Sequence, residues 1–256
     1  MKHTLPRTDG ADVMTDMLPT TRADFEPVLA RSGFAYVKAA DMRDMLEAKG
    51  MLSDWDAFVA SWGELEQDTF MADGGRYRRR RHAVYQVAAS GEIARQPHQP
   101  HYQTLSYNAL NGGRDRWFAP VTDAIGAGDS LTTILAWCGS LFSALSPTVD
   151  RWKTEIHQFR IEAGPDIAGK PTPEGMHRDG VDWVLVLLIK RQNIRSGTTT
   201  IADLEKRPLG SFTLTDPFDA AIVDDARVYH GVTPIEPIDP SKPAWRDVLV
   251  VTFAKA

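Results

Sequence analysis

Residues 177–189 read HRDGVDWVLVLLI, which places three charged or polar side chains directly before a strongly apolar predicted strand. Side chains at i and i+2 of an extended segment point to the same side, so His177 and Asp179 can face one centre while Arg178 points elsewhere. Polar groups at the mouth of a buried strand cost free energy unless they are satisfied. The segment therefore predicts a metal or ligand site at the edge of a β core.

The chain around this segment alternates short apolar stretches with Gly and Pro turns. The predicted strands cover residues 34–37, 83–87, 157–163, 182–190, 198–203, 210–214, 220–223, 228–232 and 247–253. So many short strands are typical of a sandwich or a barrel.

Helices are predicted mainly in the first 146 residues. They cover about residues 21–32, 40–49 and 122–146, and a further helix begins at Ser53, which suits the N-cap position. In that helix residues 55, 58, 59 and 62 form an apolar stripe at helical spacing, which indicates core packing.

Composition limits the class of protein. The 256 residues carry 29 Lys and Arg against 34 Asp and Glu, and 43% of them are hydrophobic, which is typical of a globular chain. The single cysteine, Cys138, excludes an internal disulfide and a cysteine-based zinc site. Residues 1–30 do not resemble a secretory signal, and the apolar stretch 131–145 is shorter than the roughly 20 residues of a membrane span. We therefore expect a cytoplasmic protein that does not bind membranes.

Five arginines lie among residues 76–81 and form the most basic stretch of the chain. A net charge of −5 opposes a role in nucleic-acid binding. We expect a solvated or paired face instead, with alternate arginines on opposite sides of a strand, so that some can reach the mouth of the site while others pair with Asp68 or Asp73.

A third ligand for the centre near His177 and Asp179 must come from a distant strand. His230 lies 51 residues after Asp179, which is enough chain for several strands to fold back beside it. Two imidazoles and one carboxylate on one face of a metal leave three positions open, which suits non-haem Fe(II) oxygen chemistry. The alternative is that both histidines are ordinary, partly buried residues.

Arg246 opens the last predicted strand. By alternation Val248, Val250 and Thr252 share its face. If that face points inward, the planar guanidinium can hold a carboxylate with two parallel hydrogen bonds. The alternative is a surface arginine paired with Asp247 or another acidic residue.

Three segments together resemble a known family: residues 171–182 (PTPEGMHRDGVD), 223–234 (VDDARVYHGVTP) and 246–253 (RDVLVVTF). They resemble the 2-oxoglutarate- and Fe(II)-dependent dioxygenases, in particular the bacterial branch that hydroxylates free L-amino acids such as isoleucine. The resemblance implies an α+β fold with a mainly β core, a double-stranded β-helix (jelly roll, cupin-like), and N-terminal and flanking helices. We expect residues 76–256 to form this dioxygenase domain, with residues 1–75 as a tail and helical extension packed on it in one structural unit.

The resemblance also implies the cofactors and the reaction. Fe(II) would lie on His177, Asp179 and His230, and Arg246 would hold the distal carboxylate of 2-oxoglutarate. O2 is the other co-substrate, and ascorbate is expected to support activity. An unactivated C–H bond of isoleucine, leucine or methionine would be hydroxylated, with succinate and CO2 as the other products.

An amino-acid substrate is a zwitterion, so its pocket needs a cation for the carboxylate and an acceptor for the ammonium. Arg160 and Asp182 are the candidates for these two roles. Trp183, Tyr102 and Tyr107 are candidates for lining the side-chain pocket. The alternatives are a structural ion pair for Arg160 and core packing for the aromatic residues.

Other functions stay open from the sequence. An oxygenase acting on a protein or peptide residue would be favoured by an open basic groove, and a free amino acid by a closed polar pocket. A jelly-roll binding module without catalysis, or a cupin-like hydrolase or isomerase, is also compatible with a metal site. The hydrolase or isomerase would not need Arg246, and the presence of His177, Asp179, His230 and Arg246 argues against the binding module.

Overall fold

The computed structural model of the protein describes residues 22–256. The predicted tail over residues 1–20, the helix start at Thr21 and most of the segment tested for a secretory signal lie outside the described residues. The described helices are α1 (Arg22–Ser32), α2 (Ala39–Glu47), α3 (Trp55–Ala60), α4 (Asp123–Gly126) and α5 (Asp129–Leu145), with a 3-10 turn at Ser61–Glu64. The first strands are β1 (Phe34–Val37), β2 (Glu66–Gln67), β3 (Arg78–Ala88), β4 (Ile93–Arg95) and β5 (Arg151–Ala163). The remaining strands are β6 (Trp183–Gln192), β7 (Ile194–Ser196), β8 (Thr198–Ala202), β9 (Pro208–Thr213), β10 (Ala220–Asp224), β11 (Tyr229–Val232), β12 (Ile235–Pro237) and β13 (Ala244–Lys255).

The strands form a large antiparallel sheet and a smaller layer. The large sheet has the order β1-β10-β6-β13-β5-β3-β2, with β4 paired to β3. The smaller layer consists of β11-β8-β9 and the pair β12-β7. This architecture confirms the predicted mainly β jelly-roll core with flanking helices.

The sequence of β6 is apolar without interruption, and both faces of this strand are buried. Leu185 and Leu187 pack into a core shared with the helices. Val184 and Leu188 face the other way, into a second core that includes Ile201 of the smaller layer. The large sheet is thus covered by helices on its outer face and by the smaller layer on its inner face.

The N-terminal segment is part of this outer cover. β1 pairs with β10 at the edge of the large sheet, with Phe34 opposite Val223. Phe25 and Leu29 of α1 and Leu46 of α2 lie in the same core as α5 and the outer face of the sheet.

The long helix predicted over residues 122–146 is divided in the structure. α4 ends at Gly126, and the extended backbone of Gly128 separates it from α5. α5 is largely buried, as predicted for this stretch. Among the helices of residues 22–256, none has the length and apolar character needed to cross a membrane.

The prediction that Ser53 caps α3 is wrong. α3 begins at Trp55 after Asp54, whose side chain forms no cap hydrogen bond to this helix. Instead, Asp54 Oδ1 accepts the backbone N–H of Ser130 at 2.8 Å and so caps the first turn of α5. Ser53 Oγ donates to the Asp129 carboxylate. A tertiary contact between two helices has replaced the local cap.

Candidate active site

Two loop residues and one strand residue form a compact group of metal-binding side chains. His177 lies between β5 and β6, and its backbone exchanges two hydrogen bonds of 2.9 Å with His230 of β11. Asp179 Oδ1 is 3.6 Å from His177 Nε2, and Asp179 Oδ2 is 3.6 Å from His230 Nε2. The three donor atoms lie within 4.8 Å of one another, so one ion can contact all of them. The structure thus brings together the three residues predicted as metal ligands.

The chain fixes the orientation of these ligands. His177 Nδ1–H donates to Gly175 O at 3.0 Å, which leaves Nε2 free to face the centre. Gln103 Nε2 donates to the backbone oxygen of Asp179 at 3.2 Å and lies 3.4 Å from its Oδ1. Such partners hold a ligand in place before a metal binds.

Asp225 holds the loop that carries Asp179. Its Oδ1 accepts the backbone N–H of Asp179 at 2.9 Å, and its Oδ2 accepts those of Gly180 and Val181 at 2.8 and 3.1 Å. Burial and the charge of Asp179 raise the pKa of Asp225 to about 6. The sequence carries no local signal for this role, because the contacts join residues more than 40 positions apart.

Charges within the triad favour a cation. Burial would raise the pKa of Asp179, but the neighbouring histidines hold it below its usual range. Burial and the charge of His177 lower the pKa of His230 to about 4, so this imidazole is neutral. Burial opposes protonation of His177, but the hydrogen bond and charge of Asp179 outweigh it and raise its pKa to about 9. A divalent cation would bind in place of that proton.

The triad opens on a cavity of about 320 Å³ between the large sheet and the smaller layer. Arg246, Val248, Val250 and Thr252 all line it, as the alternation along the last strand predicts. Arg246 is only 2% exposed, and its Nε and Nη2 have no hydrogen-bond partner among the described residues. Burial and the nearby Arg191 lower the pKa of Arg246 to about 10. A buried guanidinium with unpaired donors fits a ligand carboxylate, as 2-oxoglutarate would supply.

Arg160 and Asp182 do not reach this cavity. Arg160 lies on the outer face of β5, where its Nε and Nη2 donate to the two carboxylate oxygens of Asp247 at 2.7 Å each. Asp182 is 3.0 Å from Lys255 Nζ and also accepts the Lys255 backbone N–H. Both side chains therefore form structural ion pairs, which corrects their assignment to substrate.

The three aromatic candidates divide between core and cavity. Trp183 stacks on Phe142 of α5, with ring centroids 5.4 Å apart, and donates to Ser146 on the helical side of the sheet. Trp183 is thus a core residue and not part of the pocket. Tyr102 and Tyr107 line the cavity, where the sequence placed them.

The arginine-rich strand β3 supplies cavity residues, although the sequence did not identify which of its arginines face the site. Arg78 and Arg80 point inward and line the cavity, and the buried Asp68 lies 2.7 Å from Arg78 Nη2 and 3.8 Å from Arg80 Nη1. Arg79 and Arg81 point outward and pair with acidic residues, at 2.9 and 3.5 Å. The alternation along a strand thus divides the basic run into a pocket wall and an ion-paired surface.

A second group of possible ligands consists of His82, His101, Glu155 and His157, of which the last three line the cavity. Glu155 Oε2 accepts from His82 Nε2 at 3.0 Å and from His101 Nδ1 at 2.6 Å. Burial lowers the pKa of His82 to about 4 and also lowers that of His101, so both rings are neutral donors.

Fixed cations surround this second group. Lys153 Nζ is 2.7 Å from Glu155 Oε1, and Arg80 Nη2 is 2.6 Å from His157 Nδ1. These charges repel a divalent ion, and the donor atoms already bond one another. We therefore assign the metal to the triad and read the second group as a hydrogen-bonded wall of the cavity.

A jelly roll with two histidines and one carboxylate facing an internal cavity defines a non-haem iron oxygenase. An unpaired arginine on the last strand adds a place for a carboxylate co-substrate. The chain belongs to the 2OG-Fe dioxygenase family, whose sequence pattern matches residues 59–252. Membership of this family implies Fe(II), 2-oxoglutarate and O2 as the reaction partners.

Individual relatives agree with this assignment. The chain is 25% identical over 236 residues to the 3(1)-hydroxy-L-isoleucine 4-dioxygenase of Pantoea ananatis, covering 89% of this chain and 94% of that one. It is 37% identical to a bsmA homolog from Methylobium petroleophilum PM1, whose crystal structure superposes with a TM-score of 0.84 over 93% of this chain and 94% of that one. The crystal structure of IDO from Bacillus thuringiensis has the same fold, with a TM-score of 0.73 at 17% identity, over 92% of this chain and all of that one.

Proposed function

We propose that this dioxygenase hydroxylates an unactivated C–H bond of a free aliphatic L-amino acid, with isoleucine, leucine and methionine as the favoured substrates. The observation that carries the proposal is the cavity of about 320 Å³ next to the triad, which is the size of a small-molecule site. The inward arginines of β3 are buried and the outward ones are paired, so they form no open basic groove for a peptide. The name of the Pantoea ananatis relative supports an amino acid of the isoleucine type.

The residues of the chain bind and orient the reactants. His177, Asp179 and His230 would hold Fe(II), and Arg246 would anchor the distal carboxylate of 2-oxoglutarate through its unpaired N–H groups. When bound, Fe(II) and 2-oxoglutarate supply the oxidation, in which O2 and 2-oxoglutarate are consumed, succinate and CO2 are released, and one oxygen atom enters the substrate.

The protein itself limits side reactions and fixes geometry. Val184, Val186, Val248 and Val250 form an apolar floor below the site, which restricts water. Asp225 and the Gly175 carbonyl hold the ligand loop, so that the open face of the triad points into the cavity.

The test is a turnover assay with the full-length protein. Purified protein is incubated with Fe(II), ascorbate, 2-oxoglutarate and pooled L-amino acids, and mass spectrometry follows the gain of one oxygen atom together with succinate. We expect an aliphatic amino acid to gain oxygen. Succinate formed without oxygen gain in any amino acid, but with oxygen gain in an added peptide, would overturn the choice of substrate.

His177→Ala is the matched inactive variant, because it removes one of three ligands and leaves the sheets intact. We expect it to form no succinate even with excess Fe(II). Full turnover by His177→Ala would contradict the assignment of the metal centre.

A further inference from the structure

The cavity contains one buried cation without an anionic partner besides Arg246. Arg116 is 2% exposed and lines the cavity. Its Nη2 donates to Gln103 Oε1 at 2.9 Å, and its Nε has no hydrogen-bond partner within residues 22–256. None of the ion pairs within residues 22–256 joins Arg116 to a carboxylate. Arg78 differs, because its Nε donates to Asp68 at 2.7 Å.

A buried guanidinium that bonds only a neutral amide costs free energy, since the nearby charges of Asp68 and Glu174 compensate only part of its loss of hydration. Burial and the charge of Arg78 lower the pKa of Arg116 to about 10, so it still carries its charge at neutral pH. Its geometry suits a planar carboxylate, which can accept two parallel hydrogen bonds from one guanidinium. This pattern points to a ligand carboxylate distinct from the one that Arg246 would hold.

Glu174 offers the complementary charge in the same cavity. Its Oε2 is buried and has no hydrogen-bond partner in the described part of the chain, while its Oε1 lies 3.5 Å from His177 Nε2. The negative charge of Glu174 also favours the charged form of Arg116, and both side chains line the same cavity. An ammonium group carries three donors and no acceptor, which matches an unpaired carboxylate oxygen.

We propose that Arg116 and Glu174 form a recognition site for a zwitterion, with Arg116 binding the α-carboxylate of a free amino acid and Glu174 binding its α-ammonium group. The inference rests on the proposed function, and it assigns to these two residues the roles that Arg160 and Asp182 cannot fill. It also explains why both side chains present unpaired polar atoms to the same small space.

Binding measurements with matched ligands test the two contacts separately. Isothermal titration uses the protein loaded with 2-oxoglutarate and Mn(II), which replaces Fe(II) to prevent turnover. The ligands are L-isoleucine, 3-methylpentanoate, which lacks the ammonium, and 2-methylbutylamine, which lacks the carboxylate. Loss of one charge-assisted contact corresponds to roughly 10- to 100-fold weaker binding.

Glu174→Gln should weaken L-isoleucine binding by this factor and leave 3-methylpentanoate binding unchanged. Arg116→Met should weaken L-isoleucine binding similarly and leave 2-methylbutylamine binding unchanged. Arg116→Lys keeps the charge without the planar fork, so it should show a smaller loss and provides a second variant if Arg116→Met does not fold. Arg114→Met is the control, because Arg114 is exposed in the same loop and donates to Phe70 O.

The outcomes separate this site from the proposed function. Wild-type protein that binds none of the standard amino acids would overturn both. If wild-type protein binds L-isoleucine but the variants lower the affinity for all three ligands equally, the zwitterion site alone is overturned. A tenfold loss of Mn(II) affinity in Glu174→Gln would instead make Glu174 a metal ligand and would overturn its assignment to the ammonium group.

Discussion

Arg246→Met is expected to stabilise the protein without its co-substrate while removing the binding of 2-oxoglutarate. Burial and Arg191 lower the pKa of Arg246 to about 10, well below its ordinary value. Because one pKa unit corresponds to about 1.4 kcal/mol, the charged side chain costs the folded state about 3 kcal/mol. The cost is present throughout the neutral range, where Arg246 is protonated in both the folded and the unfolded chain.

Thermal unfolding with and without 2-oxoglutarate measures both effects. For a chain of this size, a gain of about 3 kcal/mol raises the midpoint by about 5 to 10 °C. At one fixed Mn(II) concentration, 2-oxoglutarate at 100 times its Kd for the wild type should raise the wild-type free energy of unfolding by about 2.7 kcal/mol. The same addition should leave the free energy of unfolding of Arg246→Met unchanged.

Arg191→Met is the matched control on the neighbouring strand. The Arg191 guanidinium donates to the backbone oxygens of Leu214 and Ser196 at 3.0 and 3.1 Å, so its removal leaves acceptors unpaired. We expect a lower midpoint and an unchanged response to 2-oxoglutarate. An Arg246→Met protein that is less stable than wild type, or that still responds to 2-oxoglutarate, would refute the argument from the unpaired guanidinium.

Three further variants and one control variant test the surroundings of the site. Asp225→Asn replaces one of the two acceptor oxygens that hold the ligand loop by an NH2 donor, so Mn(II) affinity should fall by roughly 10- to 100-fold in a calorimetric titration. Unchanged affinity would show that the loop keeps its conformation without this acceptor. Asp68→Asn leaves two buried arginines uncompensated and should cost about 3 to 5 kcal/mol in urea unfolding, whereas Glu236→Gln, in an exposed pair, should change stability by less than about 1 kcal/mol. Folding lowers the pKa of His82 from 6.5 to about 4. Between these two pH values the imidazole of the unfolded chain is protonated while that of the folded chain is neutral. The free energy of unfolding therefore falls as the pH drops from 6.5 to 4, by up to about 1.4 kcal/mol per pH unit. In His82→Gln the urea unfolding midpoint should change less with pH than in the wild type. An equal pH dependence in both proteins would show that His82 does not titrate in this way.

Local periodicity and spacing were sufficient to predict much of the fold and the placement of the triad. The i, i+2 spacing of His177 and Asp179 requires only extended backbone, and the inward face of β13 follows from alternation starting at Arg246. The two-sided burial of β6 is also visible in its uninterrupted apolar sequence. These features depend on backbone geometry that every strand shares, so they can be read without knowledge of the partners.

Partner choice was decided only by the tertiary structure. Arg160 and Arg116 look alike in the sequence, yet one pairs with Asp247 on the outer face of the sheet and the other is buried in the cavity without a carboxylate. The same holds for Asp225, whose three acceptor contacts reach a loop more than 40 residues away. The free energy of a charged side chain depends on its burial and on the groups brought beside it by folding. The sequence therefore determined which chemistry was present, while the packing of the sheets decided which charges remained free to bind a ligand.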